Sequence, residues 1–323
     1  MESSAQSTVF EWLKSESSMT FNCGKQGFSR HNETDFQTGY FRYRIITAEP
    51  HQLTHLEHLL LSQGQSVSLA QIARATNLNC VEVCAAKPVD FSSLALLPQL
   101  EVFDIKPDAP VLNRPGLLVM DMDSTAIEIE CIDELAEMAG VGAAVAAVTE
   151  QAMQGELDFE ESLRARVAKL TDADAGIIAR LCEQLPLMPG LTDTIKILKQ
   201  YQWRTVVASG GFTPFVNHLK QLLDLDAAFA NQLDIANGKL LGTVSGQVVD
   251  AQFKADTVLN CAQQWQIAAG QSVAIGDGAN DIPMINTADF GIAYHAKPKL
   301  AAAADVTISQ LNLKVLPYLF QLQ

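Results

Sequence analysis

The sequence predicts an α/β fold: a doubly wound parallel sheet with an inserted helical cap, preceded by a small α/β domain. From residue 116 onward, short apolar runs that end in glycine, aspartate or small residues alternate with stretches of helical periodicity. This alternation is typical of parallel strands joined by crossover helices. Residues 132–200 show helical periodicity without a clear strand. We therefore expect a helical cap of this extent after the first strand of the sheet.

Four apolar runs predict the strands of the sheet. The apolar runs that we assign to strands are 116–121, 204–210, 272–277 and 290–294. Helical periodicity is clearest over 212–223 and 254–265. Asn237-Gly238 is a strong hairpin signal and predicts a two-stranded turn within 227–250.

The first part of the chain carries no recognisable catalytic motif. Residues 38–48 and 81–86 have strand character, and 51–64 and 68–77 look helical. Proline and asparagine in 106–115 indicate a linker. A chain of 323 residues suffices for about two domains, and we place them at 1–110 and 111–323.

Composition excludes several classes of protein. The net charge of −15 argues against a nucleic-acid partner, because such binding requires an excess of Lys and Arg. No apolar stretch approaches the roughly 18 residues of a membrane span, which also excludes an ion pump. The N-terminus lacks a signal-peptide pattern, and six scattered cysteines do not form a disulfide framework. We expect a cytoplasmic protein with reduced thiols, and no zinc at Cys80 and Cys84.

Two carboxylates, Asp121 and Asp123, stand one residue apart where the first predicted strand ends. Such crowding is unfavourable unless a nearby group offsets it. Asp277 follows another apolar run, and the carboxyl ends of parallel strands meet at one crevice. Carboxylates brought together there are hard oxygen ligands that suit Mg²⁺. The sequence thus predicts a magnesium site.

Further residues at the same crevice favour the binding of an anion. Ser209-Gly210-Gly211 ends the second predicted strand and offers a hydroxyl with exposed backbone N–H groups. Lys254 opens a predicted helix, from which a cation can reach the crevice. Metal, lysine, hydroxyl and amides together describe a site for a phosphoryl group.

These motifs resemble those of a known protein family. DMDST at 121–125, SGGF at 209–212, the separate Lys254 and GDGAND at 276–281 stand in the order found in the haloacid dehalogenase-like phosphatases. Residues from about 116 to 310 resemble, more narrowly, the phosphoserine phosphatases. The resemblance implies a Rossmann-like sheet of the haloacid dehalogenase type, Mg²⁺ as cofactor, and hydrolysis of O-phosphoserine, the last step of serine biosynthesis.

The resemblance also implies residue roles. Asp121 would be the nucleophile that forms an aspartyl-phosphate, and Asp123 the general acid and base. Mg²⁺ would be held by the Asp121 carboxylate, the Asp123 backbone carbonyl and Asp277. The groups expected to hold the phosphoryl oxygens are Ser209, Gly210, Lys254 and Asn280. Asp281 would orient Lys254.

Residues of the cap would determine the substrate specificity. Glu130 can pair with an ammonium group and Arg166 with a carboxylate, while Phe159 and Met153 would cover the substrate. Glu130 can equally be a helix N-terminal charge, and Arg166 a solvated helix residue. Another small phosphomonoester, such as phosphothreonine or a sugar phosphate, is the alternative substrate.

The role of residues 1–110 stays open at this point. A regulatory module, an amino-acid-sensing domain and a dimerising domain that would give a homodimer are all compatible with a small α/β domain.

Overall fold

A computed structural model of the chain divides into two units. One unit comprises Met1–Ala109 together with Ile308–Gln323, and the other comprises Pro110–Thr307. The residues that the structure describes are 18–24, 27–31, 41–64 and 66–322. Among them, none of the helices combines the length and the hydropathy needed to cross a bilayer.

The described part of the first unit is a six-stranded sheet with helices. Its strand order is β2-β1-β4-β5-β3-β6, and neighbouring strands run antiparallel. The strands are β1 Ser18–Gly24, β2 Gly27–His31, β3 Phe41–Thr47, β4 Val67–Gln71, β5 Asn79–Ala85 and β6 Leu100–Asp104. The helix α1, Leu53–Gln63, buries Leu56 and Leu60 in a core shared with Ile45, Leu69 and Val83.

The prediction of a helix over 68–77 is wrong. Val67–Gln71 is a strand that pairs with β1 on one side and β5 on the other, and residues 72–78 are irregular. Pairing on both edges outweighs the apolar spacing that suggested a helix. The strand expected over 81–86 and the helix expected over 51–64 are present as β5 and α1. Within 38–48 the strand is β3, and residues 38–40 lie outside the described residues.

The C-terminal residues 308–323 belong to the first unit, whereas we expected the second domain to run to 323. Arg44 holds the C-terminal segment in the first unit. Its buried guanidinium donates hydrogen bonds to the carbonyl of Phe320 at 2.7 Å and to Glu82 at 2.9 Å. Glu101 accepts hydrogen bonds from the backbone of Gln310 and Leu311, each at 3.2 Å. Contacts between residues so far apart in the chain leave no local sequence signal.

The second unit contains a seven-stranded sheet of order β10-β9-β8-β7-β11-β12-β13, described throughout Pro110–Thr307. The five strands from β9 to β12 in this order are parallel, and β10 is antiparallel to β9. The strands are β7 Leu117–Met120, β8 Arg204–Phe212, β9 Ala227–Ala236, β10 Lys239–Ser245, β11 Ser272–Gly276, β12 Phe290–Tyr294 and β13 Val306–Ile308. All four predicted strands and the Asn237-Gly238 hairpin are thereby confirmed.

Helices cover the stretch between β7 and β8, all of which the structure describes. They are α2 Cys131–Met138, α3 Gly142–Met153, α4 Phe159–Ala168, α5 Gly176–Glu183 and α6 Leu191–Gln200. α6 leads into β8 and contacts it, so it is the crossover helix of the sheet. The helices before this crossover helix are therefore α2 to α5, a shorter stretch than the 132–200 that we expected for the cap.

The remaining helices of the second unit connect the later strands. They are α7 Thr213–Leu223, α8 Ala251–Gln264, α9 Ile282–Thr287 and α10 Pro298–Ala301, and the C-terminal segment holds α11 Leu316–Leu319. Residues 110–115, the second part of the linker that we expected at 106–115, are instead packed. Val111 and Leu112 are buried, and the Leu112 carbonyl accepts a hydrogen bond from Trp203 Nε1 at 2.9 Å.

Candidate active site

The carboxyl ends of β7, β8 and β11 meet at one cavity, because these three strands are adjacent and parallel. The cavity has a volume of about 470 Å³. The predicted site residues that line it are Asp121, Asp123, Glu130, Met153, Phe159, Arg166, Gly210, Lys254, Asp277 and Asn280. Two predicted residues, Ser209 and Asp281, lie fully buried around it.

A buried ion triad forms the floor of the cavity. Lys254 comes from the first turn of α8 and is 1% exposed. Its Nζ lies 2.7 Å from Asp121 Oδ1 and 2.8 Å from Asp281 Oδ1. Asp121 Oδ1 also accepts the N–H of Met122 at 2.7 Å. Asp281 thus contacts Lys254, and its role in orienting the lysine stays a prediction.

The charges of the triad do not balance. Burial raises the pKa of Asp121 well above its usual range, and the neighbouring charge of Asp281 raises it further, against the effect of Lys254. The two carboxylates hold the pKa of Lys254 above its ordinary value despite its burial. Lys254 therefore stays protonated. With both carboxylates ionised the triad carries one net negative charge, and a second cation nearby would favour that ionised state.

The carboxylates fit a divalent metal ion. Oxygen atoms of Asp121, Asp277 and Asp281 lie within 4.8 Å of one another. Asp281 is already engaged, because it bonds Lys254 and accepts the Gly278 N–H at 3.1 Å. Asp121 and Asp277 are thus the carboxylates available to a hard cation. Burial, and then the charge of Asp281, raise the pKa of Asp277 to about 6.

Asp123 has the properties of an acid and base that works near neutral pH. Burial, and then the charge of Glu130, raise its pKa to about 7. Its Oδ1 accepts the backbone N–H of Cys131, the first residue of α2, at 3.1 Å. A carboxyl group with this pKa can both give and take a proton.

The second strand end supplies backbone rather than side chain to the cavity. The register between β8 and β9 shifts after Ala208, so the segment that follows leaves the regular ladder. Gly210 and Gly211 line the cavity, while the Ser209 hydroxyl accepts the Gly211 N–H at 2.8 Å. A Cβ atom on Gly211 would lie 2.9 Å from Met122 Cε and 3.1 Å from Asp123 Oδ2, so a side chain there would displace its neighbours. The binding of a phosphoryl group by Ser209 stays a prediction.

Residues of the helices between β7 and β8 also line the cavity. Phe159 lies over Gly210, since a Cβ atom on that glycine would be 2.9 Å from Phe159 Cζ. Met153 stands at the rim and is 74% exposed. Arg166 is half-buried, and burial lowers its pKa against the charges of Asp133 and Glu130.

Sequence reasoning missed two charged residues of the cavity wall, Asp133 and Lys297. Lys297 lies three residues beyond β12, and its N–H donates to the Asp277 carbonyl at 3.3 Å. The rule that ligands bind at strand ends could have found it, because β12 is a neighbour of β11. Asp133 stands on α2, three residues after Glu130, and only the cap's packing shows that it faces the cavity.

The fold, with a cavity lined by acidic residues at its strand ends, is that of a hydrolase. A model of the haloacid dehalogenase-like hydrolase family matches residues 116–289, and the chain belongs to this family. A protein of Haemophilus influenzae named phosphoserine phosphatase is 54% identical over 208 residues, which are 64% of this chain and 66% of that protein. The match thus spans slightly less than two thirds of this relative.

Solved structures agree with this assignment. The unliganded crystal structure of a probable phosphoserine phosphatase from Vibrio cholerae is 42% identical, with a TM-score of 0.75 and coverage of 86% of each chain. A structure described as a phospho-aspartyl intermediate analogue of phosphoserine phosphatase is 40% identical, with a TM-score of 0.59, and covers 64% of this chain and 99% of that one. The resemblance to the phosphoserine phosphatases is thereby confirmed.

Proposed function

We propose that this protein hydrolyses O-phosphoserine to serine and phosphate through an aspartyl-phosphate on Asp121, with Mg²⁺ as cofactor. This reaction is the last step of serine biosynthesis. The observation that carries the proposal is the single cavity that faces Glu130 and Arg166 of the cap toward the Asp121–Lys254–Asp281 triad. The names of the relatives support the substrate, and the phospho-aspartyl analogue structure supports the intermediate.

In the first step, Asp121 Oδ2 attacks phosphorus while its Oδ1 is held by Lys254 and the Met122 N–H. The bond between phosphorus and the serine oxygen breaks. Asp123 gives its proton to that oxygen, and serine leaves as the neutral alcohol. Lys254 and the backbone at Gly210 stabilise the charge on the phosphoryl oxygens.

In the second step, Asp123 is a carboxylate and removes a proton from water. The water oxygen attacks phosphorus, the bond to Asp121 breaks, and inorganic phosphate is released with the Asp121 carboxylate restored. A pKa of about 7 lets Asp123 serve both steps within one turnover.

Mg²⁺ bound by Asp121, Asp277 and the backbone carbonyl of Asp123 would neutralise negative charge on the phosphoryl group and on the crowded carboxylates. The donor set of hard oxygens fits this ion. The carbonyl ligand rests on the family resemblance.

Recognition of the amino acid uses two opposite charges on the cap. Arg166 would bind the substrate carboxylate with its planar guanidinium, and Glu130 would bind the ammonium. Glu130 is the N-cap residue of α2 but makes no side-chain capping hydrogen bond, so its carboxylate is not used by its own helix. Phe159 and Met153 would exclude water above the substrate.

A panel of phosphate esters tests the proposal. Phosphoethanolamine keeps the ammonium without the carboxylate, and β-hydroxypropionate phosphate keeps the carboxylate without the ammonium. We expect kcat/KM for phosphoserine to exceed each by about 10- to 100-fold, since each lost charged hydrogen bond is worth about 1.5–3 kcal/mol. Activity should vanish when Mg²⁺ is chelated and return when it is added.

The same panel includes the alternative substrates. A sugar phosphate offers neither charge, and phosphothreonine adds a methyl group under the cap. Equal or better turnover of a sugar phosphate would contradict the proposal, and equal turnover of phosphothreonine would widen the substrate class. The functions of the first unit, a homodimer through it, and a cytoplasmic location stay predictions.

A further inference from the structure

Ser124 has an unusual backbone conformation for a residue with a side chain. Its φ is 57°, in the left-handed region that favours glycine. Three other non-glycine residues in this region, Gln202, Asp224 and Gln266, stand within two residues of a helix end, where the conformation terminates a helix. The others that the structure describes lie in turns or bends: Gln99, Asp172, Asn237 and His295. Ser124 instead follows Asp123 in the loop after β7. An unfavourable conformation at this place points to a function that requires it.

The side chain of Ser124 binds the residue that we assign to the substrate ammonium. Its Oγ donates to Glu130 Oε1 at 2.9 Å. One residue further along, the N–H of Cys131 donates to Asp123 Oδ1 at 3.1 Å. Two neighbouring hydrogen bonds therefore join the start of the cap to the loop that carries the acid and base.

We propose that Ser124 is a positioning residue that fixes the Glu130 carboxylate for the substrate ammonium, a proposal that rests on the function proposed above. With Oε1 held by the serine hydroxyl, Oε2 of Glu130 is presented to the cavity. The glutamate side chain loses rotamer freedom before substrate binds, so less is lost on binding. In this left-handed conformation Ser124 makes its hydrogen bond to Glu130.

This arrangement also links recognition of the substrate ammonium to protonation of the leaving oxygen. Ser124 is covalently adjacent to Asp123, so a substrate ammonium bound by Glu130 is placed at a fixed distance from the group that protonates the leaving oxygen. Misplacement of a substrate by about 1 Å can lower the rate considerably. We therefore expect loss of the Ser124 hydroxyl to lower kcat/KM for phosphoserine more than kcat/KM for esters without an ammonium group.

The test measures a ratio of two specificity constants, kcat/KM for phosphoserine over kcat/KM for β-hydroxypropionate phosphate. Ser124→Ala removes the hydroxyl and keeps the side-chain carbon, and Ser124→Gly removes the hydroxyl and relieves the backbone. We expect both variants to lower the ratio about tenfold, equivalent to about 1.4 kcal/mol, mainly through a higher KM for phosphoserine. A lower ratio in Ser124→Ala with a normal ratio in Ser124→Gly would overturn the proposal, because backbone strain alone would explain it.

A double-variant cycle identifies the route of the effect. If Ser124 acts through Glu130, then Glu130→Gln lowers the ratio and adding Ser124→Gly lowers it no further. Additive losses would overturn the proposal. Glu128→Gln removes the same charge two residues away, outside the cavity lining, and serves as the matched control. An unchanged ratio in Glu130→Gln would instead overturn the ammonium site of the proposed function. A lower ratio in Glu130→Gln, together with normal ratios in the Ser124 variants, would overturn only the role of Ser124.

Discussion

Replacing Lys254 with methionine would leave two buried carboxylates without the cation they share. Lys254 Nζ lies 2.7 Å from Asp121 Oδ1 and 2.8 Å from Asp281 Oδ1. At an effective dielectric constant of about 20, each contact corresponds to about 6 kcal/mol of gross attraction. Much of it offsets the removal of three charges from water. Because loss of one partner of a buried pair costs about 3–5 kcal/mol, we expect the free energy of unfolding to fall by about that amount.

Urea unfolding at neutral pH without Mg²⁺ measures this loss. The double variant Lys254→Met/Asp281→Asn carries one buried charge fewer, so we expect it to be about 1–2 kcal/mol more stable than Lys254→Met. Lys297→Met removes an exposed lysine at the cavity wall and should change stability by less than about 0.5 kcal/mol. A loss below about 1 kcal/mol for Lys254→Met, or a double variant no more stable than the single one, would refute the ion-triad reasoning.

Three further predictions concern the cap, the metal and the strand end. Arg166→Ala should lower kcat/KM for phosphoserine about 10- to 100-fold and hardly affect phosphoethanolamine; equal losses on both would remove its carboxylate role. Because the pKa of Asp277 is about 6, protons compete with Mg²⁺, and its affinity by calorimetry should fall up to about tenfold per pH unit below pH 6; a constant affinity from pH 5 to 8 would contradict this. Gly210→Ala should displace Phe159 and lower kcat/KM by about one to two orders of magnitude, from an overpacking cost of about 1–3 kcal/mol. Partial recovery in Gly210→Ala/Phe159→Leu would confirm the cause, and normal kinetics of Gly210→Ala would exclude it.

The strand-end residues could be predicted because a general rule of parallel sheets relates their sequence positions to one place in the fold. Asp121 and Asp277 follow short apolar strands, and adjacent parallel strands bring their carboxyl ends to one crevice. Lys297 obeys the same rule and could have been included. The triad geometry could not be predicted, because it depends on how α8 packs against the sheet and places Lys254 between two carboxylates.

Other features depend on contacts between distant residues. The strand at 67–71 has helical apolar spacing, and only its two pairing partners make it a strand. The C-terminal segment joins the first unit through Arg44 and Glu101, more than 200 residues away. The left-handed φ of Ser124 is set by the tertiary structure around the loop, since serine has no local preference for it.

The identity of the nucleophile is the central claim, and trapping the covalent intermediate tests it most directly. Borohydride reduces an acyl phosphate on aspartate to homoserine, and peptide mass spectrometry locates the altered residue. After turnover of phosphoserine, we predict homoserine at position 121, none at Asp123 or Asp277, and none in Asp121→Asn, whose turnover should fall by at least about 10⁴-fold. Continued hydrolysis of phosphoserine by Asp121→Asn, or homoserine at another aspartate, would contradict the account.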